Sequence, residues 1–598
     1  MKNKTVDFVE DRYSASETYV KGLHKKFDDY YKLYRAYRER NKNVFSNLFI
    51  PHTFSTIEQI IPRIISGIFG SEPPISISPR KPEEVESSKV METLVNWQLK
   101  HINFQTKFER TLKDSLIYGT GFGKSMWITK EYTHLEEIVT EYDGPEYSYV
   151  SPFGFYPDPY ASDINDCEYV IEKYFVTKHR LEQWEAQGIV GKDAGGLSIK
   201  SIKESSYGEV NKEKFNRISA VSGLCKPGHS DTREFIEIKE YWEPNRVIMV
   251  ANDKYIIRNE ENPFANKRIP YFSFRDHTIG DEFYGIGEVE IIEDLQEEIN
   301  TQRNQRIDAR SISLNPIIQI APGAMIDEDD IIFEPGRIWH VDPGSVQPFA
   351  VPDTGVSSVE EEMLATNNMK ETTSVTDIIR GQATANTPDT ATGVSRLDVN
   401  ASTRFNLKVR NYDEPIREVI RHFVSMNQQN IMEEQVLRLT GDLWKNIPES
   451  MELNEAGPYK FLTIRPQDIT GNFDYQVKGA KSVNQLQQQQ KYIQILQIVS
   501  QFPTEINIRE IIRRLLESLE VVDIHEILTV RQDQMERLMM AQEMQNMKRG
   551  RPAEEVPDEQ TREANVGNIP RGAGSLTPEQ ANQELLSQIA GATEGGIR

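Results

Sequence analysis

The sequence is poor in the residues that most often carry chemistry. Two cysteines, Cys167 and Cys225, stand in 598 residues. That number excludes a disulfide framework and any CxxC metal site, and it makes a reducing compartment the simplest home. Ten histidines are scattered, and none stands at HxxxH or HExxH spacing. No Ser-His-Asp or Cys-His arrangement can be argued, so neither nucleophilic catalysis nor a metal site is expected. Long apolar runs are missing too. The most apolar stretch, IEQIIPRIISGIF (57–69), is interrupted by Pro62 and Arg63 and is too short to span a bilayer. A buried or interface helix is expected there. The opening MKNKTVDFVEDRY has no apolar core, so no signal peptide is expected. Positive charge is also short. Sixty-nine Lys and Arg face 92 Asp and Glu, a net charge of −23. A protein that grips phosphates needs the opposite balance, although an acidic chain can still handle nucleic acid without holding it.

What is present is a strong alternation of structural types, an α+β pattern. Residues 7–47 are charged and periodic, which predicts one or two exposed helices. Residues 53–70 predict a helix ending at Gly70, followed by the extended SEPPISISPR. Residues 83–117 predict two helices carrying Val90, Leu94, Trp97, Leu99, Phe108 and Leu112. From 124 to about 275, KSMWITKEY, EEIVTEY, YVIEKYFV, EFIEIKEYW, RVIMVAN and KYIIRN alternate as strands of a mostly antiparallel sheet region. A helix near 178–187 interrupts them, and 192–232 read as loop.

A long helix then opens near 286, with Ile292, Leu295 and Ile299 on one face. Its acids come first and Arg303, Arg306 and Arg310 last, which complements the helix dipole. Asn315-Pro316 ends it. Residues 317–352 predict a compact β unit. A second helix follows, with Ser358 and Glu361 at capping-box spacing, running toward Ile379. A third, from near Gly393 to Gln429, would be on the order of 55 Å long, with a kink at Pro415. Residues 435–480 return to strands and 483–548 to helix. The Gly-, Pro- and Gln-rich remainder predicts a mobile tail with one short helix from Thr577.

Several stretches tempt a chemical reading. GTGFGKS (119–125) resembles a phosphate-binding loop, but Tyr118 stands where that loop needs its first glycine. A helix precedes it and a strand follows, the reverse of the order that aims helix-terminal amides at phosphate. A glycine-rich helix-to-strand turn is the better reading. GIG (285–287) has no βαβ unit around it, and flexibility at a helix start explains it. Asp327, Glu328, Asp329 and Asp330 lack the spacing of a calcium loop and read as a solvated turn. Asp158 reads as part of a proline-rich turn. His340, beside Trp339 on an expected strand, and His422, within the long helix, read as structural.

Between the second and third helices lies GQATANTPDTATGVS (381–395), with four threonines and no Lys or Arg. The order helix, small β unit, helix, polar loop, long helix resembles the core of tailed-phage portal proteins. It is most similar to the larger portals of short-tailed phages. DSLIYGTGFGKSMW (114–127), SPFGFYPDPYASDINDCEYVIEKYFVT (151–177), YGIGEVEIIEDLQEEINTQRN (284–304), TATGVSRLDVNASTRFN (390–406) and DITGNFDYQVKGAKS (468–482) carry the resemblance, in order, over roughly 50–500.

The resemblance implies a portal fold. An N-terminal wing would occupy 1–285, stem helices 286–312 and 357–380, and a β-containing clip 313–356. A tunnel loop would occupy 381–394, a kinked wing helix 395–433, wing strands 434–482, a helical crown without a barrel 483–548, and a mobile tail 549–598. It implies a dodecameric, non-enzymatic ring without cofactor, at one capsid vertex of the virion, assembled in the host cytoplasm. Its partners would be other copies of itself, double-stranded DNA in the channel, the large terminase, major capsid and scaffolding proteins, and head-tail adaptor or tail proteins, with no membrane. Thr384, Asn386, Thr387, Thr390 and Thr392 would line the channel, bracketed by Arg380 and Arg396. Hydroxyls and amides touch phosphates and release them, whereas Lys or Arg would hold them. Asp329, Ile331, Phe333, Arg337 and Trp339 of the clip would dock the terminase or adaptor. The competing readings are a packaging ATPase or nuclease, which needs a true phosphate-binding loop, and a non-ring helical adaptor.

Overall fold

The structure, a computed structural model, describes residues 4–39, 46–134, 137–191, 202, 212–224, 235–314, 318–322, 338, 340, 343–348, 355–375, 391–439, 453–456 and 459–478. The chain divides into two compact units, Met1–Ile508 and Arg509–Arg598. The described residues all lie in the first. The expected crown, tail, tunnel-loop centre and most of the clip lie outside them.

The first helices are α1 (Lys4–Tyr34), α2 (His52–Phe69), α3 (Val85–His101) and α4 (Phe104–Tyr118). The charged opening forms one long helix, within the one or two expected, but it is not exposed all round. Val9, Tyr13, Val20, Phe27 and Tyr30 of α1 are buried, a stripe that its many charges hide in the sequence. In α2, Ile57, Ile60, Ile61, Ile64 and Ile68 are buried, and the helix runs on through Pro62. Among the described residues no helix is long and apolar enough to cross a membrane.

Strand β1 (Ile75–Pro79) follows α2 and pairs antiparallel with β15 (Phe473–Val477), Ile75 facing Val477. This pairing ties the early chain, just after α2, to the last described strand. The long hairpin β2 (Thr120–His134) and β3 (Glu137–Val150) adds β9 (Tyr271–Arg275) on its other edge. A second antiparallel sheet runs β4 (Phe155–Pro157), β5 (Val170–Thr177), β6 (Phe235–Glu243), β7 (Arg246–Ala251) and β8 (Tyr255–Glu261), in that order. Helix α5 (Lys178–Ala186) interrupts it as expected. Within the stretch expected as loop, Lys212–Ser222 forms helix α6. None of its residues is fully buried; Phe215, Ile218 and Val221 share one half-buried face, a short stripe easily passed over in an 11-residue helix.

Helix α7 (Glu288–Leu314) stops just before Asn315-Pro316. Of the expected β unit, the antiparallel pair β10 (Ile318–Ile320) and β11 (Val346–Pro348) is described. His340 is exposed and lies outside any strand. Helix α8 (Gly355–Thr373) begins three residues before Ser358. Ser358 is therefore not its cap, and its Oγ instead donates to Gln302 Oε1 of α7 at 3.4 Å. Helix α9 (Ala391–Asn430) has 40 residues, about 60 Å, and continues through Pro415 as one element. Its Phe405, Tyr412, Ile416, Val419, Ile420 and Phe423 are buried against α2, α4 and β9. A last sheet orders β12 (Gln435–Leu439), β14 (Tyr459–Ile464) and β13 (Leu453–Ala456).

Candidate functional site

No catalytic constellation was expected, and the glycine-rich loop confirms its structural reading in atomic detail. Helix α4 ends at Gly119, whose φ of +85° is left-handed, a standard helix stop. β2 begins one residue later, so the order is helix, then strand. A Cβ on Gly119 would sit 1.9 Å from the carbonyl oxygen of Gly285, and one on Gly287 would sit 2.7 Å from the Gly119 amide nitrogen. The two glycine motifs therefore exist for each other. GTG and GIG let two backbones touch, and GIG is a contact surface rather than a flexible helix start. Thr120 Oγ1 accepts from the Gly285 amide at 2.8 Å. The Asp276 amide donates to the Gly119 carbonyl at 3.2 Å, and His277 and Ile286 exchange both backbone bonds.

Lys124, the lysine of the apparent phosphate loop, is spent inside the protein. Its Nζ donates to Glu240 Oε1 at 2.6 Å and Glu172 Oε2 at 3.3 Å, and lies 5.1 Å from the Tyr271 ring centroid. Tyr271 and Tyr174 hydroxyls and the Trp242 indole donate to the same carboxylates. Burial opposes the charge on Lys124, but Glu240 and Glu172 hold its pKa above the ordinary value. A lysine so committed does not reach a phosphate. His422 and Asp158 are structural as read. The His422 ring bonds Ser125, and Asp158 accepts from the amides of Tyr160 and Glu168.

Many polar contacts converge on α7. Gln296, Asn300 and Asn304 follow at intervals of four and share one face. Gln296 Oε1 accepts from the Thr53 amide at 3.0 Å and from Thr53 Oγ1 at 2.9 Å, and its Nε2 donates to the Ile50 carbonyl at 2.7 Å. Asn300 Oδ1 accepts from the Ile50 amide at 2.9 Å. Asn304 accepts from the Leu48 amide at 2.7 Å and returns a bond to the Leu48 carbonyl at 2.9 Å. Three amide side chains thus act as a strand partner for residues 48–53. Thr53 is the second residue of α2, whose first amides lack helical acceptors, and Pro51 supplies no cap. Gln296 caps α2 from another helix. Reading for apolar periodicity missed this ladder, and amides at i, i+4 and i+8 were the available signal.

The opposite partner of α7 is α8. They run antiparallel, since Arg306 meets Ser358 and Arg303 meets Glu362. Ile292, Ile299, Ala365 and Met369 form the apolar seam. Glu362 takes both Arg303 and Arg306. Burial alone would raise its pKa, but the two guanidinium groups hold it below the usual carboxylate range. On α8, Val359, Met363 and Leu364 remain exposed, the last two by 60% and 61%.

A groove of about 660 Å³ runs beside α9. Its charges are mostly matched among themselves: Arg268 and Arg421 to Glu418, Arg417 to Asp413, Arg275 to Asp163. Such a rim does not single out a charged substrate.

Of the residues assigned by resemblance, Pro415 lies in α9 as expected. Thr392 stands in the first turn of α9 rather than in the loop, and Arg396 lies one turn further along. The last residues of the expected loop, from Ala391 on, therefore belong to α9. Arg380, Thr384, Asn386, Thr387, Thr390, Asp329, Ile331, Phe333, Arg337 and Trp339 lie outside the described residues.

The geometry defines an α+β protein in which the polar clusters among the described residues fasten one element to another. Residues 5–148 and 140–551 match the family model described as the phage SU10 portal protein. That match covers most of the chain, and the protein belongs to this bacteriophage portal family.

Proposed function

We propose that the chain is the subunit of a dodecameric portal ring at one capsid vertex of the virion. DNA would enter and leave through its channel, and the ring would serve first the terminase and then adaptor or tail proteins. The family match over most of the chain carries this reading. In it, α7 and α8 are the stem, residues 313–356 the clip, α9 the wing helix, and residues 381–390 the tunnel loop. The role is structural, with no catalytic step in the chain itself. The exposed Val359, Met363 and Leu364 of α8 suit a helix that gains neighbours on ring closure, since exposed apolar side chains on a paired helix mark contact surfaces. Thr384, Asn386, Thr387 and Thr390 would face the DNA, and Asp329, Ile331, Phe333, Arg337 and Trp339 the docking partners.

Negative-stain electron microscopy of the purified chain, with scaffolding protein added if needed, tests the ring. Rings with a central hole about as wide as a DNA duplex are expected; particles without a hole in both preparations would refute it. Deleting 383–390 should leave rings intact and impair DNA packaging or retention. Loss of the rings themselves would refute the loop assignment.

A further inference from the structure

Asp276, His277 and Glu288 present metal-type ligand atoms within 4.8 Å of one another. Asp276 and Glu288 are 0% and 2% exposed. Two carboxylates and an imidazole in such a group are a ligand set for a divalent ion such as zinc. The central position is already taken. Lys408 Nζ lies 2.5 Å from Asp276 Oδ1, 2.5 Å from Glu288 Oε1 and 3.1 Å from His277 Nε2. An ammonium carries three N–H donors, and two of them meet the carboxylates. His277 Nε2, its third neighbour, also lies 3.3 Å from Glu288 Oε1.

We propose that Asp276, His277 and Glu288 form a cation site whose resident cation is the chain's own Lys408, and that this tripod pins α9 to the first turn of α7. The charge balance supports it. Two carboxylates against one ammonium leave one negative charge, in a place where charge is expensive to bury. Asp276 Oδ2 and Glu288 Oε2 are buried with no hydrogen-bond partner among the described residues. The site therefore offers a cation more than Lys408 uses. Tyr412 faces it from α9, its hydroxyl 3.5 Å from Asp276 Oδ1 and 3.0 Å from Ser115 Oγ of α4. Asn411 Nδ2 donates to the Asp276 carbonyl at 2.9 Å. The pin lies beside the GTG–GIG contact, where α4, β9, α7 and α9 meet. Its importance for a channel loop ahead of α9 rests on the portal reading; the site itself does not.

The test uses the full chain and Zn²⁺ as the probe. Lys408→Ala removes the ammonium and opens room for an ion. With chelator present, its unfolding midpoint should fall by about 3 °C, since removing one partner strands the buried carboxylates. Micromolar Zn²⁺ should restore most of that shift, and equilibrium dialysis should find zinc bound to Lys408→Ala but not to the wild type. Adding His277→Ala to Lys408→Ala should abolish the rescue. An unchanged midpoint in Lys408→Ala, or rescue that survives loss of His277, would overturn the proposal. If Lys408→Ala does not fold without metal, folding on zinc addition supports it and failure to fold with zinc overturns it. Ring formation by the wild type is a separate readout, so the portal reading and this site fail independently.

Discussion

Acidification should unfold this protein in part through one histidine. His422 on α9 is 2% exposed. Its Nδ1 lies 2.6 Å from Ser125 Oγ, and Phe264 and Phe272 meet its ring edge-on at 4.6 Å and 5.9 Å. Its Nε2 is buried with no partner among the described residues, so a second ring proton would find no acceptor. Burial, with Arg268 nearby, pushes the His422 pKa down to about 3. In the unfolded chain it stands near 6.5. The folded state keeps the ring neutral while the unfolded state takes a proton. The stability this confers is therefore full above about pH 6.5 and is lost as pH falls toward 3. Those two values make the loss about 2 kcal/mol at pH 5 and about 3 kcal/mol at pH 4. His422→Gln does not titrate and keeps an amide near Ser125. Urea unfolding, followed by tryptophan fluorescence from about pH 7.5 down to pH 5, gives both stabilities. The advantage of wild type over the variant should shrink by about 2 kcal/mol across that range, since every other group cancels in the difference. Two parallel curves would refute the buried neutral ring.

Two further perturbations address the fastenings of α7. Gly119→Ala should destabilise by more than about 2 kcal/mol, combining a left-handed backbone with a Cβ 1.9 Å from the Gly285 carbonyl oxygen; a urea midpoint equal to wild type would mean that the GTG–GIG approach is not required. Gln296→Leu should lower stability by about 3 kcal/mol, because it strands the Thr53 amide, the Thr53 hydroxyl and one bond of the Ile50 carbonyl. Hydrogen exchange at the Thr53 amide should speed up in the same variant, and unchanged protection there would rule out the ladder as its anchor.

Much of the fold was legible because burial writes itself as periodicity. Ile292 and Ile299 of α7, the isoleucines of α2 and the stripe of α9 all follow helical spacing, and the strands from 124 to 261 are short runs rich in β-branched and aromatic residues, some buried on both faces, as in Arg246–Ala251. Reversed order at GTGFGKS was enough to set aside a nucleotide loop. Three things were not legible. Helix α6 is short, and its one apolar face, Phe215, Ile218 and Val221, is only half-buried. The buried stripe of α1 is diluted by charges that lie on its other faces. The ion and amide clusters join residues far apart in sequence, such as Lys408 with Asp276, or Gln296 with Thr53. Their chemistry is ordinary residue by residue, and only the fold brings the partners together.

The manner in which α7 is held follows from what each kind of contact can specify. An apolar seam such as Ile292, Ile299, Ala365 and Met369 resists separation but tolerates sliding, because dispersion and burial are not directional. A hydrogen bond to one peptide group does not tolerate it. Gln296, Asn300 and Asn304 each answer specific peptide groups between Leu48 and Thr53, so a shift of one residue would leave buried donors without acceptors. Glu362 between two arginines and Lys408 between two carboxylates fix two more points along and beside the same helix. The apolar seam keeps α7 in contact with α8, and the polar fastenings set its register. If the chain passes DNA as proposed, it needs the second property more than the first.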